Sequence, residues 1–344
     1  MSAAANGQAS SDSGGRNITL LMLHVLLAAV PGTTATLFFF GWGVLFNLVS
    51  LVLWALLLEA AALYLRGRPV LFHLRDLSAV VTAVLLALAL PPTAPWWLGL
   101  TGIFFAIVVA KQLYGGLGFN PFNPAMVGYA ALLVAFPLPM TRWLLPAGAT
   151  AALPGLGDTT TLFVGGELLQ GIDAYVGATA LDSFRQQQGA QLVSEFRQNS
   201  PVVGEWAGLG WEWINVGFLF GGGYLLFKRI ISWHIPLSML SALALLALLF
   251  HDGGSSASHG SPLWHLFSGA AMLGAFFIAT DPVSAATTPR GKLVYGALIG
   301  SVVYLIRAFG SYPDGVAFAV LIGNIAAPLI DHVTLHTKAG KPDD

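Results

Sequence analysis

The chain contains no cysteine among its 344 residues. Disulfide bonds, thiolate-bound zinc and ordinary iron–sulfur clusters all need cysteine ligands, so each of them is excluded. Any redox chemistry in this chain therefore depends on an organic cofactor. His251, His259 and His265 flank a Gly/Ser-rich stretch without the spacing of metal ligands, and we assign no metal site.

Charged residues are also scarce. They make up 9% of the chain, whereas hydrophobic residues make up 56% and the mean hydropathy is +0.74. Because a soluble domain carries about 25% charged residues, this composition predicts a multi-span protein embedded in the lipid bilayer. The net charge of -1 offers no basic surface, so we expect no nucleic-acid partner.

Apolar stretches recur along the whole chain. Residues 18–65 run apolar for long enough to cross a membrane twice, with a turn at residues 41–43, because each crossing needs about 20 residues. Eight further candidate spans are 77–90, 96–113, 124–138, 211–227, 235–250, 263–280, 293–306 and 316–330. We therefore predict an all-α polytopic membrane protein with about ten transmembrane helices.

The spans fall into two groups of five. We predict a disordered cytoplasmic tail, a first membrane repeat, a long loop, a second membrane repeat and a cytoplasmic tail, at residues 1–17, 18–138, 139–210, 211–335 and 336–344. Pro92 and Pro124 in the first half have counterparts at similar spacing in Pro282 and Pro313. Five spans per half place the halves in opposite orientations, so the pattern predicts a 5+5 inverted repeat. Prolines also end many unrelated spans.

The positive residues predict which side faces the cytoplasm. With a cytoplasmic N-terminus, eleven of the 15 Lys and Arg residues lie on the inside of the predicted topology. Since cytoplasmic loops are enriched in Lys and Arg, both termini are predicted to be cytoplasmic. The 139–210 loop is then periplasmic, in the inner (cytoplasmic) membrane of a bacterium.

One motif in this loop places a threonine beside two small residues. It reads Asp173-x-x-x-Gly177-Ala178-Thr179-x-Leu181. Esterification of a threonine needs an accessible hydroxyl with little bulk around it, and Gly177 and Ala178 provide that space. The alternative interpretation is an ordinary surface turn.

A second group of polar residues lies near span ends, most of them on the predicted inner side. Asn123-Pro124 is expected to open a helix, since Asn is a good N-cap and Pro fits the first turn. Such a helix start can be purely structural, or it can face a polar ligand. The candidates for a second ligand or an ion path are Asn120, Asn123, Asp281, Ser284, Thr287, Arg290 and Asp314.

Charged residues near the predicted span ends have a simpler interpretation. They are taken as side chains that extend to the membrane interface; they are Glu59, Asp76, Lys111, Arg307, Asp314 and Asp331. The stretch from Asp281 to Thr287 is a near-copy of the Thr179 motif, with Ala285 where that motif has Gly177. At the position of Ser284, the Thr179 motif has Val176.

Four stretches, in this order and at this spacing, resemble the RnfD/NqrB family: 119–126, 272–284, 312–319 and 324–331. The resemblance implies a subunit of an ion-translocating ferredoxin:NAD oxidoreductase, with FMN attached to Thr179 on the outer face by a flavin transferase. It further implies the partners RnfA, RnfB, RnfC, RnfE and RnfG, and it allows a second, noncovalent flavin such as riboflavin.

Two alternatives remain at this point. An NqrB-type subunit of a quinone-reducing sodium pump is the near relative, but the long N-terminal region usual there is absent here, which favours Rnf. A cofactor-free channel or carrier built on the inverted repeat is the other alternative. Covalently bound flavin would distinguish it from both electron-transfer hypotheses.

Overall fold

The computed structural model describes residues 2–168, 171–310, 312 and 314–339, with side chains described from residue 18 to residue 335 within those ranges. Pro313 of the predicted proline pattern, residue 1 of the predicted N-terminal tail and residues 340–344 of the predicted C-terminal tail lie outside the described residues. The described chain is almost entirely helical.

The first half of the chain supplies seven α-helices. They are α1 (Ser2–Phe40), α2 (Trp42–Leu65), α3 (Val70–Leu74), α4 (Ser78–Ala89), α5 (Trp96–Ile103), α6 (Pro124–Ala135) and α7 (Pro137–Thr141). Helix α5 continues directly into a π-helix at Phe104–Gln112. A π-helical segment widens the helix and is frequently found at functional sites.

The loop and the second half follow in the order α8 (Leu156–Val164), α9 (Ala180–Gln186), α10 (Val193–Asn199), α11 (Trp211–Phe227), α12 (His234–Leu249), α13 (Pro262–Phe267), α14 (Ala271–Leu273), α15 (Pro289–Phe309) and α16 (Val316–Ala339). Helix α14 continues into a second π-helix at Gly274–Ile278. One departure from the all-α prediction is a two-stranded antiparallel pair, β1 (Trp143–Leu144) with β2 (Val176–Gly177).

Within the part of the chain that the structure describes, four helices are long and apolar enough to cross a membrane: Ile18–Phe40, Trp42–Leu65, Pro289–Phe309 and Val316–Leu335. Several shorter apolar helices accompany them. The chain is therefore a multi-pass membrane protein. Helix α1 begins at Ser2, within the segment that the sequence predicted to be a disordered tail. The cytoplasmic location of both tails stays a prediction.

Local sequence explains where several helices begin. Asn123 caps α6 by accepting a hydrogen bond from the Met126 N–H at 3.3 Å, and Pro124 occupies the first turn, as the sequence predicted. Thr288 and Pro289 start α15 in the same way, with the Gly291 N–H donating to the Thr288 hydroxyl at 2.9 Å. A capping oxygen satisfies a backbone donor that would otherwise be lost in an apolar environment.

Two buried asparagines form hydrogen bonds with backbone C=O and N–H groups where helices are interrupted. The Asn47 side chain donates to the Pro91 carbonyl at 3.0 Å, just after α4 ends. Asn215 donates to the Phe267 and Gly269 carbonyls and accepts the Met272 N–H, all within 3.1 Å. Since water does not reach such groups inside a bilayer, these side chains stabilise the interruptions.

The two halves of the chain meet along α1 and α11, and again along α6 and α16. Small residues bring α1 and α11 close together: a Cβ on Gly217 would lie 2.8 Å from the Gly32 Cα, and one on Gly221 would clash with the Ala28 carbonyl oxygen. Close backbone approach of this kind is how helices pack inside membranes, where there is no hydrophobic driving force between them.

The 139–210 loop folds against the bundle instead of extending away from it. Helices α9 and α10 form a second apolar cluster with a residue from the start of α13; its buried members are Ala180, Leu181, Phe184, Phe196, Val202 and Trp264. This cluster fixes the residue that precedes α9, which is Thr179.

Candidate functional site

Thr179 is held in place by the short strand pair and by the helix that it caps. Trp143 pairs with Gly177 in the β1–β2 register, and a Cβ on Gly177 would lie 2.6 Å from the Leu145 side chain. Two residues later, Thr179 is the N-cap of α9. The glycine is thus needed for the close packing of the strand pair, in addition to leaving space beside the threonine.

The Thr179 hydroxyl makes two hydrogen bonds, both with Asp182. It donates to Asp182 Oδ2 at 2.8 Å, and it accepts the Asp182 backbone N–H at 3.2 Å. Both residues are half-buried. Burial raises the pKa of the Asp182 carboxyl above its usual range, and this effect outweighs the hydrogen bonds from Thr179 and the charge of Arg185, which lower it.

A partly open cavity lies beside Thr179, and we call it the Thr179 cavity. The wall is mostly apolar and aromatic, with contributions from the loop and from both halves of the bundle: Thr36, Leu88, Met126, Tyr129, Trp143, Thr179, Ala180, Leu181, Trp211, Ile214, Phe218, Leu273, Ile278, Asp314 and Val316.

Aromatic rings form one side of the Thr179 cavity. The Trp143 and Trp211 ring centroids are 5.4 Å apart, and Phe40 packs against both, at 5.9 Å and 5.4 Å. Tyr129 of α6 lies on the cavity wall as well. Large flat apolar surfaces of this kind suit a planar aromatic ligand, because offset and edge contacts between rings are favourable.

The Thr179 cavity also contains one end of a buried ion pair. Arg307 of α15 contacts Asp314 at 3.1 Å and donates to the His265 and Ser268 carbonyls. The other Asp314 oxygen accepts the Ala270 N–H at 2.7 Å. The sequence interpretation of Arg307 as an interface side chain was wrong, because its guanidinium satisfies backbone carbonyls at the C-terminal end of α13.

A second cavity lies elsewhere in the bundle, and we call it the Asn120 cavity. Asn120, Asn123 and Asp281 line it together with Ser78, Lys111 and Thr280. Asn120 is 4% exposed, and its Oδ1 atom is buried with no hydrogen-bond partner among the described residues. A buried acceptor without a partner indicates a place for a donor from a ligand or water.

A second buried ion pair borders the Asn120 cavity. Lys111 lies on the π-helix and donates to both Glu59 oxygens, at 2.9 and 2.8 Å, and to the Ser78 hydroxyl at 2.7 Å. The Gln112 amide also donates to Glu59, at 2.8 Å. The interface interpretation was therefore wrong for Glu59 and Lys111 too, since each side chain is only 3% exposed.

The two cavities lie toward opposite ends of the bundle. Along α11, Ile214 and Phe218 line the Thr179 cavity, whereas Leu225, about 10 Å further along the helix axis, lines the Asn120 cavity. Between them, the Asn123 side chain donates to the Ile278 carbonyl at 3.2 Å. The barrier between the cavities is therefore made of packed side chains and this hydrogen bond.

The other sequence candidates are placed separately. Ala178 and Thr179 line a third, much smaller cavity, while Asp173 is exposed in a 3-10 turn. Ser284 lies outside the wall of the Asn120 cavity but donates to Asp281 at 2.7 Å. Asp314, grouped by sequence with the second site, lies instead at the Thr179 cavity.

Thr287 and Arg290 lie on the surface, and neither lines one of the two cavities. The Thr287 hydroxyl donates to the Asp331 carboxylate of α16 at 2.8 Å. Among the described residues, His, Cys, Asp and Glu side chains do not come together in groups of three that could hold a metal ion.

Together, the helical bundle and its cavities define a polytopic membrane protein with two separate polar-edged cavities. A family model described as the NQR2, RnfD, RnfE family matches residues 10–340. This chain belongs to that family, as the sequence resemblance predicted.

The chain is similar to three relatives that are each named as a component of an ion-translocating oxidoreductase complex. The protein of Cellvibrio japonicus is 55% identical over 326 residues, covering 93% of this chain and 90% of the relative. That of Ectopseudomonas mendocina is 54% identical over 314 residues, covering 91% and 89%. That of Yersinia pseudotuberculosis is 52% identical over 336 residues, covering 93% of each.

Proposed function

We propose that this chain is the membrane electron-transfer subunit of an ion-translocating ferredoxin:NAD oxidoreductase and that it carries FMN as a phosphate ester on Thr179. The observation that supports this most directly is the position of Thr179 on the wall of a cavity lined by aromatic side chains. The names of the relatives support the assignment to an ion-translocating oxidoreductase complex.

The residues of the Thr179 cavity fit a flavin. Thr179 supplies the hydroxyl for the ester, and the rings of Trp143, Trp211 and Tyr129 supply apolar surface for a planar ring system. Such a flavin supplies redox chemistry that no side chain of this chain has, while the protein binds and orients it. Asp314, held by Arg307 and by the Ala270 N–H, is a fixed polar group on the same wall.

The proposed topology has ten crossings in a 5+5 inverted repeat, with both termini in the cytoplasm and Thr179 on the periplasmic side of a bacterial inner membrane. Contacts between α1 and α11 and between α6 and α16 support it, because these are the first and fifth crossings of each half. A repeat axis between the halves would bring equivalent helices together in this way. RnfA, RnfB, RnfC, RnfE and RnfG are the proposed partner proteins, and a flavin transferase modifies the chain.

A second flavin, such as riboflavin, is proposed for the Asn120 cavity. The unpartnered Asn120 oxygen supports it, since the ring of a flavin carries an N–H donor beside two carbonyl acceptors. Lys111 and Ser78 add donors on the same wall. Two flavins on opposite sides of one bundle suit an electron carrier better than a cofactor-free channel.

Mass spectrometry of protein produced together with its flavin transferase tests the proposal. The tryptic peptide 143–185, which contains Thr179, should gain the mass of FMN less one water. A band that remains fluorescent in a denaturing gel should accompany it. An unmodified peptide, with flavin elsewhere or absent, would refute the assignment to Thr179.

A further inference from the structure

The hydrogen bonds of the Thr179 hydroxyl leave one lone pair of its oxygen available for nucleophilic attack. A hydroxyl has one donor and two lone pairs. The donor is directed to Asp182 Oδ2 at 2.8 Å, and one lone pair accepts the Asp182 N–H at 3.2 Å. One lone pair therefore remains for attack on an electrophile, and Thr179 lies on the wall of a cavity that can hold one.

We propose that Asp182 is the base that accepts the Thr179 proton when the flavin phosphate is attached. This inference rests on the proposed attachment of FMN to Thr179. Asp182 is three residues along the same chain, so the base is already in place before any transferase binds. The transferase then has to supply the activated flavin nucleotide and to stabilise its phosphates.

The step balances without oxidation or reduction. The donor is a flavin nucleotide whose phosphate is joined to a nucleoside monophosphate by an anhydride bond. The Thr179 Oγ–H bond breaks, and its proton passes to Asp182 Oδ2. The oxygen forms a new bond to the flavin-bearing phosphorus, while the anhydride P–O bond breaks and the nucleoside monophosphate leaves as an anion.

The surroundings of Asp182 suit a base. Burial raises the pKa of its carboxyl, and a carboxylate with a raised pKa binds a proton more readily. The charged and titratable groups that act on it or lie nearby on the cavity wall are Arg185 on the same helix, Tyr129 of α6 and Asp314, which is paired with Arg307. Arg185 opposes the effect of burial.

The other threonine–carboxylate pair shows why the base alone is not sufficient. Thr287 also donates to a carboxylate, Asp331, at 2.8 Å. It is exposed, however, and lies on the wall of neither large cavity. The structure therefore separates two requirements, a carboxylate acceptor and a cavity for the flavin, and only Thr179 meets both.

The experiment measures the initial rate of covalent flavin attachment to the purified, unmodified full chain, with purified transferase and flavin dinucleotide, by fluorescence in denaturing gels. Wild type is compared with Asp182→Asn, which keeps the shape of the side chain and an acceptor oxygen. Ser183→Ala is the matched control, because its hydroxyl makes only a long contact of 3.5 Å with the Ala178 carbonyl. At each pH, the rate of the variant is divided by the rate of wild type. The pH dependence of the transferase itself affects both rates equally and cancels in this ratio.

We expect Asp182→Asn to lower the rate at neutral pH at least tenfold, since general bases contribute about 10²–10⁴-fold. The ratio should rise toward one as the pH falls through the raised pKa of Asp182, because wild type then loses its base. A ratio independent of pH, whatever its size, would overturn the inference. A wild-type chain that gains no flavin at Thr179 would instead refute the proposed function.

Discussion

Two threonines in this molecule have nearly the same local sequence and nearly the same hydrogen bond. Thr179 and Thr287 each follow an alanine in a near-copy of one motif. Each hydroxyl donates a hydrogen bond of 2.8 Å to a carboxylate oxygen. The acceptor is Asp182 for Thr179 and Asp331 for Thr287. Chemistry at the oxygen atom therefore does not distinguish them.

Their surroundings do distinguish them. Thr179 is half-buried on the wall of a cavity with aromatic rings on one side. Thr287 is exposed, and the Asp331 carboxylate also accepts its backbone N–H. A covalent ligand needs space for the rest of the molecule, so the fold selects between two sites that the motif leaves nearly equal.

The largest effect is expected from removing each hydroxyl in turn. Thr179→Ala should abolish covalent flavin, whereas Thr287→Ala should leave it unchanged. The folded protein should survive Thr179→Ala, because the loss of an N-cap costs about 1 kcal/mol. Gel fluorescence and the masses of peptides 143–185 and 230–290 report the outcome. Flavin retained in Thr179→Ala but lost in Thr287→Ala would reverse the comparison.

The buried ion pairs of the two cavities allow a second comparison. Lys111→Met would leave Glu59 buried with one remaining side-chain donor, Gln112, and should cost about 3–5 kcal/mol. Arg307→Met should cost less, because Asp314 is 20% exposed and keeps the N–H groups of Ala270 and Val316.

Thermal unfolding in detergent, followed by the loss of monodisperse protein, measures both variants. Glu59→Gln combined with Lys111→Met should recover most of the loss, because it removes the uncompensated charge. A larger loss for Arg307→Met than for Lys111→Met would show that its bonds to the His265 and Ser268 carbonyls matter more than the ion pair.

Local signals in the sequence predicted local structure well. Asn123 caps α6 with Pro124 in the first turn, and Gly41 makes the turn between α1 and α2 with φ of 72°. These features depend on residues that are neighbours in the chain. The long apolar stretches are also local features of the chain. They predicted a helical membrane protein, because each helix that crosses a bilayer needs such a stretch.

Contacts between distant residues could not be predicted in this way. Lys111 meets Glu59 from 52 positions away, and Asn123 meets Asn324 from 201 positions away. The interpretation of Lys111 as an interface residue assumed that a cation near a span end extends to water. The sequence does contain a possible partner, the Glu59 carboxylate near another span end. It does not show that these two span ends meet in the fold. For the same reason, the sequence grouped Asp314 with the candidates for a second ligand, whereas it lies at the Thr179 cavity.

The smallest predicted effect concerns Asn120 and sharpens the contrast between the cavities. Its Oδ1 atom is buried without a partner among the described residues, while its amide donates to the Phe122 carbonyl at 3.0 Å. If that oxygen accepts an N–H from a bound riboflavin, Asn120→Ala should weaken riboflavin binding about tenfold, or about 1.4 kcal/mol. Covalent flavin on Thr179 should stay unchanged, because the two cavities are separate.

Thr280→Val provides the matched control for Asn120→Ala. Thr280 lines the same cavity, but its hydroxyl already donates to the Phe276 carbonyl of its own helix at 2.8 Å, so its removal deprives a ligand of little. Riboflavin affinity is measured by fluorescence titration of each variant, and covalent flavin by gel fluorescence on the same samples. Equal riboflavin affinity in wild type and Asn120→Ala would remove Asn120 from the site. Loss of both flavins together would show that the cavities are coupled through Asn123 and Ile278, and not independent.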